Sequence, residues 1–489
     1  MNSNQLNEYM TKAYSQWRER TYLYETVNGN EYTETFGSFI EKTGYLAAYL
    51  LKNGFGGKNI GIFSPNSIRW MIADLAVMNY VGISVGLSKD WTYDNVAYAL
   101  QKCCVECLFY SEVYGAVIDR LKARFPDIVF LSMEQDFDRC IEEGKALCSA
   151  PADLPVKRND EPAKIVFTSG STYFPKAVML SVKNVFSGAA SLGRRVDLNE
   201  SDVCYLFLPL HHTYGSIYNF MYSLVFGFTI HLAENTKEMP QEMSRIRPTV
   251  FAAVPLVYAR FAQAAESLHT PLKMLLGGRM RYLFCGGAAL APALRQQYRS
   301  AGMKMMNAYA LSETSSTLSI DYPDDSIDNS AGTISEDIDV KVLAPDSDGF
   351  GEIAVKGDNV FLGYYHDEAA TRAAFDENGY FLTGDIGRIE DSRIYLRGRK
   401  DTMIPLQNGE NISVNALSEK VRQMSGEIRS VKLYVQNNFL TCDIYTDTAS
   451  STLTPDDWSQ MMEQLNSGLP RYEQMKKYHI LDIGLLLKG

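Results

Sequence analysis

The chain alternates short apolar runs with amphipathic stretches in which apolar residues recur every three or four positions. The helical repeat is clear over residues 5–17 and 36–51. Two short segments of strand-like composition lie between these stretches and flank Asn28-Gly29-Asn30. An Asn-Gly pair between two such segments is typical of a tight β-hairpin turn. The beginning of the chain is therefore predicted to fold as helix, hairpin and helix.

Buried strands and helices alternate from residue 60 onward. Strands are expected over 60–63 and 82–87, with a helix between them over 68–80 that Pro65-Asn66-Ser67 caps. Further apolar runs predict strands at 165–167, 203–208, 247–255, 283–285 and 304–306. Because strand–helix alternation of this kind is typical of a largely parallel sheet, the fold class is α/β.

The end of the chain has the pattern of a small separate unit. Residues 413–424 and 458–465 carry helical repeats, and 431–435 and 440–445 have the composition of strands. A length of 489 residues is more than one domain's worth of chain. Two domains are therefore predicted, a large one over residues 1–400 and a small one over 401–489.

Composition narrows the class of protein. Apolar residues make up 46% of the chain and charged residues 21%, as in an ordinary globular protein. A net charge of −11 argues against a nucleic-acid partner, which basic surfaces usually bind. No apolar run is long enough to span a bilayer, and the polar N-terminus is unlike a signal peptide. These features predict a cytoplasmic protein without an integral membrane segment.

The eight cysteines are not spaced as a disulfide framework. Cys103, Cys104 and Cys107 lie close together, but no second C-x-x-C or histidine pair accompanies them. We therefore interpret these three cysteines as small buried side chains at the start of a strand, and the chain as one from a reducing compartment.

The stretch around residues 165–178 has the pattern of a phosphate-binding loop. A strand over 165–167 is followed by small and hydroxylated residues, and then by Pro175 and Lys176. Such a loop offers backbone N–H groups and hydroxyls to a polyanion, and the lysine adds a positive charge. It is not the G-x-x-x-x-G-K-[ST] loop of the common nucleotide-binding proteins. The residues predicted to contact phosphate are Thr168, Ser169, Gly170, Ser171, Thr172 and Lys176. A helix is expected after this loop.

This stretch resembles the T-S-G-[ST]-T-G-x-P-K-G-V signature of the adenylate-forming superfamily, which contains acyl- and aryl-CoA ligases, luciferases and the adenylation domains of peptide synthetases. Tyr173 and Ala177 stand where the family usually has glycines. The resemblance runs over roughly residues 21–478, with the motifs in family order. It implies a large N-terminal domain of layered, mostly parallel sheets and a small mobile α+β C-terminal domain.

Two further motifs follow predicted strands. Pro209 to Gly215 resembles the family's P-[LF]-x-H-x-x-G, which places His212 beside the reacting carboxylate and Tyr214 at the substrate. Two ordinary loop histidines would give the same pattern. The segment Gly286-Gly287-Ala288 resembles the family's G-G-A, which lies against adenine and lines the acyl pocket. An ordinary glycine turn between a strand and a helix would have the same geometry without binding any ligand.

Residues 307–314 resemble the family's N-x-Y-G-x-T-E, with Ala310 and Ser312 as departures from it. The resemblance implies that Asn307 and Tyr309 contact the nucleotide, that Ser312 touches phosphate and that Glu313 helps to hold Mg²⁺ against the triphosphate. A single carboxylate completed by substrate phosphates is a usual magnesium site.

The last motifs lie near the predicted domain boundary. Thr383-Gly384-Asp385 resembles the family's T-G-D, so Asp385, expected on a tight turn, would bind the ribose hydroxyls. Arg399, in the G-R segment, would reach ribose or phosphate, and Asp401 would be the pivot of the small domain. The family's C-terminal catalytic lysine has no clear counterpart, and Lys488 is the candidate to replace it.

The resemblance implies an acid–thiol ligase that uses ATP, Mg²⁺ and CoA. It would activate a carboxylic acid as acyl-AMP with release of pyrophosphate, and then form a thioester with CoA. The stretch from His212 to Tyr218 contains no Asp that could pair with an α-amine, which favours an aryl or fatty acid over an amino acid. Two alternatives remain open. One is a ligase that loads the phosphopantetheine thiol of a carrier protein. The other is a binder of nucleotide or acyl-adenylate without turnover.

Overall fold

The fold was taken from a computed structural model, which describes residues 4–148, 154–168, 175–325, 327–400, 403–405, 411–436, 439–448, 451–469 and 474–483. Contacts group the chain into two compact units. The first contains Met1–Val340, Val355–Phe381 and Asp391–Ile394, and the second contains Lys341–Ala354, Leu382–Glu390 and Tyr395–Gly489. The predicted boundary at residue 400 stays a prediction.

The α-helices are α1 Gln5–Trp17, α2 Phe36–Lys52, α3 Ile68–Ala76, α4 Tyr93–Lys102, α5 Gly115–Arg124, α6 Phe137–Leu147, α7 Val182–Phe186, α8 Ala189–Arg195, α9 Tyr222–Phe226, α10 Met239–Ile246, α11 Pro255–Ser267, α12 Leu272–Leu275, α13 Pro292–Ser300, α14 Glu368–Ala373, α15 Val414–Arg422 and α16 Pro455–Ser467. Two π-helical turns cover Val77–Val81 and Tyr214–Met221, and short 3₁₀ turns cover Glu112–Tyr114, Thr236–Glu238 and Ser312–Thr314.

The strands are β1 Thr21–Val27, β2 Asn30–Thr35, β3 Asn59–Phe63, β4 Ile83–Gly86, β5 Val105–Tyr110, β6 Val129–Ser132, β7 Pro162–Thr168, β8 Lys176–Ser181, β9 Val203–Leu206, β10 Thr229–Leu232, β11 Val250–Ala253, β12 Tyr282–Cys285, β13 Lys304–Tyr309, β14 Ser319–Ile320, β15 Thr333–Ile334, β16 Ile338–Leu343, β17 Gly351–Gly357, β18 Gly363–Tyr364, β19 Phe381–Glu390, β20 Arg393–Arg399, β21 Met403–Pro405, β22 Asn411–Ser413, β23 Ile428–Gln436, β24 Phe439–Thr446 and β25 Lys477–Asp482.

Two mixed sheets organise the first unit. One contains the strand order β15-β14-β13-β12-β11-β9-β10-β1-β2, and the other has the order β18-β8-β7-β4-β3-β5-β6. The pairs β3–β4, β3–β5 and β4–β7 are parallel, as are β9–β10, β11–β12 and β12–β13. The α/β prediction with largely parallel sheets is therefore confirmed. Parallel strands place their carboxyl ends at one edge, where such sheets usually bind ligands.

Local sequence explains why the first elements form where they do. Asn28 and Gly29 have φ angles of 53° and 77°, which gives the predicted tight turn between β1 and β2. The Ser67 hydroxyl accepts a hydrogen bond of 3.0 Å from the Trp70 N–H and caps α3, as predicted. The expected helix over 68–80 is α3 followed by the π-helical turn at Val77–Val81.

The second unit contains its own small sheet, in which β24 pairs with β23 antiparallel and with β25 parallel. Buried residues of α15 and α16, among them Leu417 and Trp458, belong to its hydrophobic core with Leu440 of β24. The sequence predicted these two helices and the first two strands. It did not predict β25, which has a charged residue at each end. Strand β25 pairs with β24 in the described residues.

Three expectations need correction. The segment after the predicted phosphate loop is the strand β8, not a helix, and α7 begins only at Val182. Asp385 lies inside β19 rather than on a tight turn, although Gly384 has a φ of 71° that bends the strand there. Among the three clustered cysteines, Cys103 and Cys107 are buried as expected, but Cys104 is exposed.

An ion pair without solvent exposure ties the second sheet to α3. Lys164 of β7 and Asp74 of α3 are both fully buried, and the Lys164 Nζ lies 2.7 Å from each carboxylate oxygen of Asp74. The Ser84 hydroxyl of β4 donates to the same carboxylate at 2.5 Å. Because an unpaired charge is very unfavourable in an apolar interior, these three elements depend on one another.

Asp74→Ala is expected to lower the free energy of unfolding by about 3–5 kcal/mol, because the Lys164 ammonium would be left buried without its partner. Urea unfolding of the whole protein would measure this loss. Glu143→Ala is the matched control, since it removes an exposed ion pair with Arg139 and should change stability by less than about 1 kcal/mol. Equal small losses in the two variants would contradict the prediction.

Candidate active site

The predicted phosphate loop connects two paired strands. Thr168, at the end of β7, is in register with Lys176, at the start of β8, in an antiparallel pair. Ser169, Gly170, Ser171 and Thr172 lie outside the described residues. The pairing of β7 with β8 therefore brings Thr168 and Lys176, the two described ends of the predicted loop, side by side.

Lys176 and Glu313 are linked through Tyr364. The Lys176 Nζ lies 4.7 Å from the centre of the Tyr364 ring, and the Tyr364 hydroxyl donates a hydrogen bond of 2.9 Å to the Glu313 Oε1. Strand β18 positions Tyr364, which is in register with Val178 of β8. The sequence analysis gave Tyr364 no role, although its Gly-Tyr pair was the available signal. The structure thus assembles a cation, an aromatic ring and a carboxylate from three distant segments.

Glu313 lies on a constrained turn. The turn Ser312–Thr314 is fixed by the Thr314 hydroxyl, which accepts a hydrogen bond of 2.9 Å from the Leu311 N–H. Ser315 and Ser316 then have φ angles of 50° and 61°, a left-handed conformation that non-glycine residues rarely adopt. Each such residue costs on the order of 1–3 kcal/mol and is found preferentially at functional sites. The fold therefore keeps Glu313 in place at a local energetic cost.

Glu313 suits a magnesium ion better than a transition metal. Within the part of the chain that the structure describes, no group of three or more His, Cys, Asp or Glu side chains could hold a metal. A lone, nearly buried carboxylate cannot form a complete protein cage. It can supply one oxygen ligand to Mg²⁺, which usually completes its coordination with water and substrate phosphates.

The histidine motif follows β9 and begins the π-helical turn Tyr214–Met221. A Cβ added to Gly215 would lie 2.3 Å from the Pro209 carbonyl oxygen, so only glycine fits there. A Cβ on Gly86, at the end of β4, would lie 3.1 Å from the Cα of His211. His211 is therefore packed against the carboxyl end of a parallel strand and is buried, whereas His212 is exposed.

Both histidines are held in the neutral form near pH 7. Desolvation, together with the smaller effects of the nearby His212, Lys89 and Lys164, lowers the pKa of His211 to about 3. Desolvation also lowers the pKa of His212, while the Asp90 carboxylate raises it in part. The two rings lie 4.4 Å apart. A neutral, exposed imidazole at position 212 can exchange hydrogen bonds with a ligand without adding charge.

The Gly286-Gly287-Ala288 segment presents backbone beside Tyr214. Gly286 is buried, and a Cβ there would lie 3.1 Å from the Ala308 carbonyl oxygen and 3.7 Å from the Cζ of Tyr214. Gly287 has a φ of 80° and is exposed, as is Ala288. The Tyr214 hydroxyl donates to the Phe284 carbonyl oxygen at 2.9 Å. The absence of side chains at 286 and 287 leaves room for a flat group against the backbone.

Asn307 already has partners within the protein. Its Nδ2 donates to the Ser330 carbonyl oxygen at 2.8 Å, and its N–H donates to the Asp321 carboxylate at 2.9 Å. Tyr309, at the end of β13, and Ser312 are half-buried. A contact between Asn307 and a nucleotide stays a prediction, and the observed role of this side chain is to fix the chain at residue 330.

Asp385 and Arg399 form a pair in the second unit. An Arg399 Nη1 lies 3.2 Å from the Asp385 Oδ1 and donates to the Thr383 carbonyl oxygen at 3.0 Å. A Cβ on Gly384 would lie 2.9 Å from the Arg399 Nη2, which explains the glycine. Asp385 and Arg399 are thus neighbours, and their contact with ribose stays a prediction. Asp401 and Lys488 lie outside the described residues.

His211 should make folding stability depend on pH. Its pKa is lowered in the folded state, so the unfolded chain takes up a proton below about pH 6.5 and the folded chain does not. The contribution of neutral His211 to the free energy of unfolding is therefore complete above pH 6.5. It decreases as the pH is lowered, by about 2 kcal/mol at pH 5. His211→Gln should remove this part of the decline in urea unfolding at pH 7 and 5. His269→Gln, on an exposed side chain, is the control. An unchanged pH dependence in His211→Gln would contradict the assignment.

Comparison with known proteins identifies related chains. A Mycobacterium bovis long-chain-fatty-acid–CoA ligase, FadD15, is 27% identical over 425 residues, which cover 75% of this chain and 69% of that protein. The peroxisomal long chain acyl-CoA synthetase 6 of Arabidopsis thaliana is 25% identical over 81% of this chain and 64% of its own. The chain thus spans about two thirds of the length of these curated relatives.

Solved structures share the fold. MatB from Rhodopseudomonas palustris, bound to ATP, is similar with a TM-score of 0.82 and 20% identity over 98% of this chain and 95% of its own. The o-succinylbenzoate coenzyme A synthetase MenE from Bacillus subtilis, in complex with AMP, gives a TM-score of 0.78 and 20% identity over 97% and 94%. Both likenesses confirm the predicted fold.

A family model described as AMP-binding enzyme matches residues 10–365. This range contains the β7–β8 hairpin, the histidine motif, the glycine segment and Glu313. The predicted family is therefore confirmed: the chain belongs to the AMP-binding enzymes.

Proposed function

We propose that this protein activates a carboxylic acid with ATP and transfers the acyl group to the thiol of CoA. The observation that carries the proposal is the grouping of Lys176, Tyr364 and Glu313 beside the β7–β8 hairpin in a chain of the AMP-binding enzyme family. The curated relatives named above are acyl-CoA ligases or synthetases, and their chemistry supports the same reaction here.

The reaction has two steps. In the first, a carboxylate oxygen of the acid attacks the α-phosphorus of ATP, and the bond to pyrophosphate breaks. In the second, the thiolate of CoA attacks the acyl carbon, and the bond to AMP breaks. A carboxylate is a poor acyl donor, so the first step supplies the leaving group. The main task of the protein is to position the reactants and to balance their charge.

Lys176 and Glu313 would form the phosphate side of the site. Lys176 would place its ammonium at the phosphates, held by the face of the Tyr364 ring. Glu313 would supply the one protein carboxylate for Mg²⁺, with Tyr364 fixing its Oε1. When bound, the metal would supply positive charge against the phosphates. Thr168 and the loop that follows would add hydroxyls and backbone N–H groups.

The side of the site that binds the acid would be formed by His212, Tyr214 and Gly287. A neutral His212 would approach the carboxylate without forming an ion pair that holds it back. Gly286 and Gly287 would let the adenine or the acyl group lie against the backbone, next to Tyr214. The pair of Asp385 and Arg399 would bind the ribose. Tyr309 would contact adenine and Ser312 would contact phosphate, as the resemblance implies.

The role of the C-terminal part is proposed from the resemblance. A domain of residues 401–489 would turn about Asp401 between the two steps, and Lys488 is the candidate for the lysine that approaches the carboxylate and the α-phosphate. A carrier-protein thiol in place of CoA is a further proposal of the same kind. Tyr173, Ala177 and Ala310, which replace family glycines, favour the alternative of a nucleotide binder without turnover.

ATP–pyrophosphate exchange with a panel of aryl, short-chain and long-chain acids tests the first step, with amino acids as controls. We expect Mg²⁺-dependent exchange with one class of acid, and AMP release that depends on added CoA. Exchange without CoA-dependent AMP release would leave the carrier-protein alternative. ATP binding with no exchange in the whole panel would contradict ligase activity and favour the binder.

Glu313→Gln should lower the rate of exchange by at least about 100-fold, because the site would lose its metal-binding charge. Tyr364→Phe keeps the ring beside Lys176 and removes only the hydrogen bond to Glu313, so a loss of about tenfold is expected. Glu377→Gln, at an exposed carboxylate, is the matched control and should retain full exchange. Full activity in Glu313→Gln would contradict the assigned role.

A further inference from the structure

The histidine motif continues β9 beyond the point where the sheet pairs this strand. The pairing of β9 with β10 runs to Leu206, which is in register with Leu232. Leu208 and Leu210 follow and are both buried, and Pro209 between them has no backbone N–H to donate. Because buried backbone groups need hydrogen-bond partners, the Leu208 carbonyl and the Leu210 N–H require partners from outside this strand pair.

The Asn66 side chain supplies both of these partners. Its Nδ2 donates a hydrogen bond of 2.8 Å to the Leu208 carbonyl oxygen, and its Oδ1 accepts one of 2.9 Å from the Leu210 N–H. A carboxamide donates and accepts at once, as a backbone amide does, and only Asn and Gln side chains carry this group. Asn66 therefore does for the residues that lead to His212 what a neighbouring strand does for β9.

Asn66 is itself fixed by the start of α3. It is half-buried, and the next residue, Ser67, caps the helix by accepting a hydrogen bond of 3.0 Å from the Trp70 N–H. The same helix contains Asp74, whose fully buried ion pair with Lys164 ties α3 to β7. The Asn66 carboxamide therefore contacts the histidine motif from a firmly held backbone position.

A tight turn connects the two residues that Asn66 binds to His212. The His212 N–H donates to the Pro209 carbonyl oxygen at 3.1 Å, and the His212 carbonyl oxygen accepts from the Ser216 N–H at 2.9 Å. His212 lies two positions after Leu210 in the chain. Because the turn is closed by its own hydrogen bonds, a displacement of the backbone at Leu210 would displace the His212 imidazole as well.

We propose that Asn66 is a positioning residue of the candidate active site, which holds the backbone at Leu208 and Leu210 so that the His212 imidazole meets the carboxylate of the acid. The inference rests on the proposed ligase function and adds a residue to its machinery. Adenylation requires the carboxylate to be placed accurately against the α-phosphorus, and a misplacement of about 1 Å can lower a rate about 100-fold. Asn66 acts on the acid through His212.

A double-mutant cycle in pyrophosphate exchange tests this inference. Asn66→Ala is expected to lower kcat/KM for the acid by about tenfold or more when His212 is present, and by less than about twofold in a chain that carries His212→Gln. The KM for ATP should change by less than about twofold, since the proposed phosphate contacts come from other segments. Asn53→Ala is the matched control. It removes an exposed Asn side chain that donates to the Tyr49 carbonyl oxygen, and it should leave exchange unchanged.

A second variant and a second measurement complete the test. Asn66→Asp keeps the shape of the side chain and the acceptor for the Leu210 N–H but loses the donor to Leu208, so it should show the same dependence on His212 if Asn66→Ala folds poorly. The chain has six histidines, so the imidazole NMR signals of histidine-labelled protein can be assigned by substitution. Asn66→Ala should shift the His212 signal and leave that of the exposed His269 in place.

The outcomes distinguish this inference from the proposed function. Full exchange in Asn66→Ala, or an equal loss with and without His212, would overturn the inference and leave the ligase function intact. An unmoved His212 signal in Asn66→Ala would overturn it as well, because the imidazole would then hold its place without Asn66. Absence of exchange with every acid in the unaltered chain would overturn the ligase function, and the NMR comparison would still decide whether Asn66 positions His212.

Discussion

The antiparallel pairing of β8 with β7 on one side and with β18 on the other is the constraint on which the candidate site depends. Lys176 begins β8, and Tyr364 is held opposite Val178 by the backbone of β18. Because side chains alternate between faces, a shift of one residue in this register would move Tyr364 away from Lys176 and Glu313. The cation and the carboxylate are therefore positioned by sheet register.

Charge in the first unit is treated differently inside and at the surface. The buried Lys164 and Asp74 compensate each other, and the buried His211 is kept neutral by desolvation. Lys176 is exposed, and its ammonium lies over an aromatic ring. The fold thus leaves a positive charge available where a polyanion is expected, and it avoids unpaired charge in the core. The same rule appears in the buried Arg195, which pairs with Glu336.

Much of the fold follows from local sequence. The helical repeats of α1 and α2, the Asn28-Gly29 turn and the Ser67 cap are short-range signals, and the structure contains the elements they predict. Strand β8 was missed because its short run of apolar residues, 177–180, suits a helix as well as a strand. Strand β25 was missed because it is short, with a charged residue at each end, and its pairing with β24 is a long-range contact.

The sequence by itself determined the residue types of the candidate site and their order, because motifs of small, hydroxylated and charged residues follow strands at fixed places. Only the tertiary structure decided which of them meet. Strand pairing places Tyr364 between Lys176 and Glu313. Asp385 lies in a strand beside Arg399. The Asn307 side chain donates a hydrogen bond to the Ser330 carbonyl oxygen.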